Sequence, residues 1–389
     1  MLKHIEHKDL PEFLHIPQAG AIFFGEYDRN NNLTTLWQCF EEMNEAYLIF
    51  DVNQNSPYFS VLSTNLYDAL MNASRVDNQA RIFVDSPYAI VQSSAHNTVF
   101  QQKIGGEMQI NGQILIHNTK DLKKWLKGLK TARVDYALFA FSSLNNESVV
   151  KSQSYFEPTT PFDLSPDGAT HTFAISSQNL YEVFLMAQKY TALENGYNYK
   201  AGMDYVHVFI DGGKPVFFCT DGCAYHEAPM PIYCDGASDT SFMIHVGAIE
   251  ACVMAIKNGN HFDYSEILIH VFDDGRVLLE TGYEKIRVMS VPRTPHSMLY
   301  GVRDIWAREC PALSETNQVP ADKYKKGDLC VLNNGALRMK REGDSLPTFL
   351  RNYIPDNLYR YSVAYNDKYK MLFIEQDGEK TVVMARVDY

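Results

Sequence analysis

Apolar residues along this chain switch between a spacing of two and a spacing near 3.6, and the switch recurs. Phe59-Ser-Val-Leu62 alternates as a short strand does, and Ser63-Thr-Asn-Leu-Tyr-Asp68 with Ala69-Leu-Met71 then carries helical spacing behind a Ser-rich start. The same text returns, in register and without a gap, as Phe173-Ala-Ile-Ser-Ser-Gln-Asn-Leu-Tyr-Glu182 with Val183-Phe-Leu185. Repetition at a domain-sized interval predicts a fold that reuses one module.

The echo continues. Ile114-Leu-Ile-His117 opens a second strand-then-helix segment ending near Lys130, and Phe242-Met-Ile-His245 opens its counterpart, with a helix over Gly247–Lys257. Strand-like runs follow each, at Tyr136–Ser142 and Glu266–Phe272. At the C-terminus, Glu284-Lys-Ile-Arg-Val-Met289 is matched by Glu379-Lys-Thr-Val-Val-Met384. Each of these is preceded by a hairpin pattern, Val271–Thr281 turning at Asp273-Asp-Gly275 and Val363–Gln376 turning at Asn366-Asp-Lys368. The prediction is an α+β chain of repeated domains, each with two helices packed on antiparallel sheets. The boundaries expected are 57–168, 169–292 and a shortened 293–389. Residues 1–56 stand outside the repeat and read as a strand-helix-strand extension, with strands over Ala21–Phe24 and Tyr47–Val52 and a helix over Leu36–Asn44.

Composition narrows the picture. The 389 residues are 46% hydrophobic, enough to bury two or three cores, and 24 Tyr and 22 Phe favour strands. No apolar run is long enough to span a membrane, and the Met1 region lacks a secretory pattern, so a cytoplasmic protein is expected. Seven scattered cysteines read as reduced thiols, with Cys219, Cys223 and His226 too few for a convincing metal site. A net charge of −12 excludes an ordinary DNA-binding domain unless positive charge is gathered on one surface.

One segment gathers it. In Asn118–Lys130, Leu122, Trp125, Leu126 and Leu129 form an apolar stripe, with Lys120, Lys123, Lys124, Lys127 and Lys130 opposite. Asn118 is the expected N-cap and Asp121 its capping-box partner. A lysine face is either solvated surface or a track for phosphates, whose contacts are independent of sequence and sensitive to salt. A second segment, Phe218-Cys-Thr-Asp-Gly-Cys-Ala-Tyr225 with Met230-Pro231, reads as a strand and a tight turn, in which Asp221 accepts local hydrogen bonds and Gly222 supplies the bend. An enzyme built on His226 or Asp221 with a cysteine has no supporting motif: neither Gly-x-Ser-x-Gly nor His-Glu-x-x-His occurs.

With the repeat, the lysine helix and the Thr-Asp-Gly turn, the chain resembles the bacterial DNA polymerase III β-subunit sliding clamps. Gln113–Phe162, closing in Pro158–Asp163, is similar to the second half of a clamp first domain, and Val382-Val-Met384 is similar to the clamp's last strand. The resemblance implies a non-catalytic processivity factor, needing no cofactor or metal, that encircles duplex DNA as a homodimer ring. It implies channel helices facing DNA, with the five lysines as DNA contacts. It implies a hydrophobic cleft for short peptides of the polymerase and of a separate ATP-driven loader, with Thr220, Gly222, Cys223, Ala224 and Tyr225 as one wall and Val382 and Met384 as the other. Such a protein would be associated with the nucleoid. Two departures stand out: clamps usually carry His-Arg where this chain has Cys223-Ala224, and residues 1–56 have no counterpart. A clamp-like scaffold that binds partners without encircling DNA is the alternative.

Overall fold

The computed structural model describes residues 2–5, 21–27, 33–40, 45–51, 59–85, 88–95, 97–108, 112–137, 140–143, 146–151, 162–192, 199–233, 239–258, 265–281, 286–295, 299, 301–315, 329–331, 337–339, 348–355 and 360–385. Two compact units result: residues 1–165 with 254–261 and 280–288, and residues 166–253 with 262–279 and 289–389. Pro158–Pro161 lie outside the described residues.

The repeated text folds alike. Strand Phe59–Leu62 leads into helix α1, Ser63–Ala73, and strand His171–Ser176 leads into helix α3, Ser177–Tyr190. Buried helix positions coincide copy for copy: Ser63 with Ser177, Leu66 with Leu180, Ala69 with Val183, Leu70 with Phe184 and Ala73 with Ala187. Both first-turn serines send their backbone N–H to a carbonyl of a later segment, Ser63 to Ala132 and Ser177 to Ser265. The second strand-then-helix pairs are Gly112–Ile116 with α2, Thr119–Gly128, and Thr240–His245 with α4, Val246–Asn258.

Sheet topology repeats as well. The quartet 112–116, 80–85, 88–95, 98–105 has the order of the quartet 240–245, 205–211, 214–220, 224–229. A second kind of quartet occurs three times: 146–151, 140–143, 133–137, 59–62; then 286–290, 277–281, 266–271, 171–176; then 379–384, 371–376, 362–366, 314–315. Ile286–Ser290 and Glu379–Met384, matched by text, therefore occupy the same place in their quartets. The described strand pairings in these sheets are antiparallel, as in Phe173↔Ile269 and Val363↔Ile374. The hairpin turns form where expected: Gly275 at φ +82 bonds back to Phe272, and the Asn366 side chain accepts from the N–H groups of Lys368 and Tyr369.

Two regions differ from expectation. Leu33–Phe40 is a strand, paired on one side with Ala21–Tyr27 and on the other with Glu45–Asp51, so the helix expected over Leu36–Asn44 is replaced by the third strand of a four-stranded antiparallel sheet. Its Leu-Thr-Thr-Leu-Trp-Gln-Cys-Phe text is β-branched and aromatic, and the Asn30-Asn-Asn32 cluster ahead of it favours a turn. In the C-terminal region the described residues hold one short helix, α5, Ile305–Glu309, which precedes strand Ser314–Glu315. Strand Thr348–Phe349 is followed by a single 3-10 turn, Arg351–Tyr353, where the earlier copies carry a full second helix. Pro355 accounts for the stop: its ring disfavours helical backbone at Ile354, and it has no N–H to donate.

Candidate functional site: the lysine helix and the Thr-Asp-Gly seam

Helix α2 is two-faced as its text dictates. Leu122 and Leu126 are buried, Trp125 and Leu129 half-buried. The Asn118 side chain accepts from the Lys120 N–H at 2.9 Å; among the described residues Asp121 makes no return bond. Lys120, Lys124, Lys127 and Lys130 are exposed. Lys123 is not: half-buried, it donates to the hydroxyl of Ser74, the residue that caps the end of α1, at 2.7 Å, and burial together with Arg75 lowers its pKa. Lys130 lies beyond the helix at φ +54, with its carbonyl accepting from Ser63. The other helices do not continue this charge. The outward residues of α3 include Gln178, Glu182, Leu185 and Met186, and α4 offers Glu250 and Lys257.

The second site lies in the second unit, where one eight-stranded sheet runs through 240–245, 205–211, 214–220, 224–229, 379–384, 371–376, 362–366 and 314–315. Its seam pairs Ala224 with Val383 and Tyr225 with Val382, so the two walls expected from the sequence are adjacent strands. The turn ahead of the seam is built locally. Asp221 Oδ1 accepts from the N–H groups of Cys223 and Ala224, both at 2.8 Å, and Thr220 Oγ1 donates to the Ala224 carbonyl at 2.6 Å. Gly222 sits at φ +85, and a Cβ there would meet Met203 Cε at 3.0 Å. Cys223 accepts through its carbonyl from the Met384 N–H at 2.9 Å.

Alternation across the seam sends neighbours to opposite faces. On one face His226 stacks on Tyr190 of α3 with centroids 4.7 Å apart and shares a 3.0 Å hydrogen bond with Thr381. Burial, with Lys189 nearby, pushes the His226 pKa down to about 3. Tyr353 of the 3-10 turn closes this side: its hydroxyl donates to Asp221 Oδ2, and its carbonyl accepts from Tyr190 at 2.9 Å. On the other face Tyr225, Val382, Phe218, Phe373 and Ala364 form a cluster covered by Val302, Ile305, Trp306, Cys310 and Leu313. Glu227 is buried there among Lys380 Nζ at 3.4 Å, Arg303 Nε at 3.7 Å and the Tyr225 hydroxyl.

Exposure divides the predicted wall residues. Gly222 and Met384 face solvent and Cys223 is half-buried, whereas Thr220, Ala224, Tyr225 and Val382 are buried. A five-residue helix and a one-turn 3-10 segment are too short to show a period, so α5 and Tyr353 leave no signal in the sequence. Among the described residues no three His, Cys, Asp or Glu converge as metal ligands, and burial raises the Cys219 thiol far above its ordinary range. No described helix is long and apolar enough to cross a membrane.

Against solved structures, 84% of the chain covers 99% of the DNA polymerase III subunit beta from Pseudomonas aeruginosa, with a TM-score of 0.61 at 12% identity. The beta subunit from Thermotoga maritima gives 85%, 99%, 0.61 and 12% for the same measures. The chain has the sliding-clamp fold. The DNA polymerase sliding clamp from Bacillus subtilis matches over 85% of this chain and 99% of its own, with a TM-score of 0.62 at 8% identity. No protein-family model matches, and no curated protein matches in sequence.

Proposed function

We propose that this chain is a divergent, non-catalytic sliding clamp that encircles duplex DNA as a homodimer and tethers a polymerase and a loader. Its domains would be 57–168, 169–292 and 293–389, with 1–56 an added sheet. The observation that carries the reading is the conjunction of a clamp fold with a strongly cationic helix face on an acidic chain. Three exposed ammonium groups on α2, with Lys130 just beyond it, suit phosphates, whose contacts position a protein without reading sequence. The acidic remainder discourages nonspecific adhesion elsewhere. Strand Asn146–Lys151 ends its sheet, and Leu337–Met339 ends a three-stranded sheet; end strands of this kind suit pairing between two copies.

Partner peptides would meet the seam beside Met384, Gly222 and Cys223. Cys223 and Ala224 stand where clamps usually carry His-Arg, so the rim is less cationic and favours apolar side chains. The test is Lys120, Lys124 and Lys127 to Glu. Each lost phosphate contact lowers the salt slope of binding by about 0.9, so the triple variant should lose retention on nicked circular DNA while keeping its melting temperature. Retention equal to that of the parent protein removes the DNA reading.

A specific observation favours the non-encircling scaffold as second reading. Outward Leu185 and Met186 on α3, exposed at 43% and 37%, suit a protein partner better than phosphates.

A further inference from the structure

The cleft of the proposed function is occupied by the chain itself. Tyr225 and Val382, the two wall residues that face each other across the seam, are each only 3% exposed, and what covers them is the segment 301–313. Ile305 and Trp306 supply an adjoining aliphatic and aromatic pair, with Trp306 edge-on to Phe373 at 5.4 Å and Lys380 Nζ 5.8 Å from the Trp306 ring. Val302, Cys310 and Leu313 extend the contact.

The same segment is weakly fixed. α5 has five residues, too few for a self-supporting helix, and Asp304 at its N-cap makes no capping bond. None of its residues is fully buried. Two polar anchors tie it down: Arg303 beside Glu227 at 3.7 Å, and the Asn366 side-chain amide donating to the Glu309 carbonyl at 2.8 Å. A cavity of about 460 Å³, lined in part by Phe209, Phe218, Phe242, Leu299 and Arg303, adjoins its leading end, so that end lacks close backing.

We propose that segment 301–313 is a built-in competitor, occupying the apolar seam until a partner peptide presenting a similar aliphatic–aromatic pair displaces it. This rests on the peptide-cleft reading for the identity of the partner, but not for the release of the segment. A tethered competitor acts at an effective concentration near the millimolar range, so a free peptide with the same contacts binds only when the tether's own contacts are weakened. Loss of the edge-on Trp306 ring contact and one exposed ion pair from the tethered segment should weaken its hold roughly tenfold.

The probe is a fluorescein-labelled peptide of sequence 301–313, titrated by anisotropy against the full chain and against Arg303→Ala/Trp306→Ala, whose two changes lie in the tethered segment and leave the seam that receives the probe intact. The variant should bind it about tenfold more tightly than the parent does, and the same peptide carrying Trp306→Ala should not bind. Equal affinity of parent and variant, or binding that ignores Trp306, overturns the proposal. A second arm needs no variant. Amide exchange in the parent should be faster at Ile305, Arg308 and Cys310 than at Leu372–Ile374, and equal protection overturns the proposal as well. Polymerase-derived peptides that fail on a variant able to take the 301–313 peptide would sink the proposed function and leave the competitor standing.

Discussion

Acid should open the seam at His226, and the effect has a definite sign. The imidazole is 3% exposed, stacked on Tyr190 and bonded to Thr381 through Nδ1, so a second proton must be accommodated without water. Its pKa falls from 6.5 to about 3 on folding, chiefly through burial and secondarily through Lys189. Between those values the unfolded chain binds a proton that the folded chain does not, so stability is complete above pH 6.5 and declines as the pH falls toward 3. Each pH unit inside the window costs about 1.4 kcal/mol, which puts the whole contribution at about 4–5 kcal/mol. That is a large share of the roughly 5–15 kcal/mol typical of a folded protein. His226→Gln keeps a neutral polar group near Thr381 but cannot take the proton. Urea unfolding of parent and variant should be followed by circular dichroism at half-unit steps from pH 7.5 to 4.5. At pH 7.5 the variant should be the less stable, by about 1 kcal/mol for the lost ring stack. The gap should close and then reverse as the pH drops, by about 1.4 kcal/mol per unit below pH 6. A gap that stays constant across the range would refute the argument.

Other consequences follow from the same geometry. Tyr353→Phe removes a hydroxyl that donates to the Asp221 carboxylate and should cost about 1.5–3 kcal/mol in urea unfolding, with little change in exchange protection on α2. Leu126→Ala deletes a side chain 1% exposed beneath the lysines and should cost about 2–5 kcal/mol, leaving the lysine face charged but its helix less stable. Met384→Ala, at a side chain 46% exposed, should change stability by less than about 0.5 kcal/mol and weaken peptide binding, measured by anisotropy. Tyr225→Ala, which the sequence alone would nominate for the same test, should instead destabilise the sheet by about 3–5 kcal/mol, because the ring is core.

The repeat was readable because it is written at the level of burial. Ser63, Leu66, Ala69, Leu70 and Ala73 and their counterparts on α3 are helix positions where only small or apolar residues fit, so duplication left a visible trace. The hairpins at Asp273–Gly275 and Asn366–Lys368 were readable from turn chemistry. Leu36–Phe40 forms a strand where a helix was expected, because a short apolar stretch fits either period and the pairing partners on both flanks decide it. The lysines were placed on the correct helix face, but Lys123 was drawn in by Ser74, a contact between helices that no spacing rule contains. The seam was legible in outline only. Ala224 and Tyr225 do pair with Val383 and Val382, and Cys223 bonds Met384, yet the cover supplied by Ile305 and Trp306, which buries Tyr225 and Val382, depends on the third dimension.

Topology gives the most direct test of the central claim. The protein should be incubated with a nicked circular plasmid and passed through a sizing column at moderate salt, before and after a single restriction cut. A chain that encircles DNA elutes with the circle and is lost once the duplex has ends, and the Lys120/Lys124/Lys127→Glu variant is lost from both. Elution that is the same on circular and cut plasmid would contradict the account.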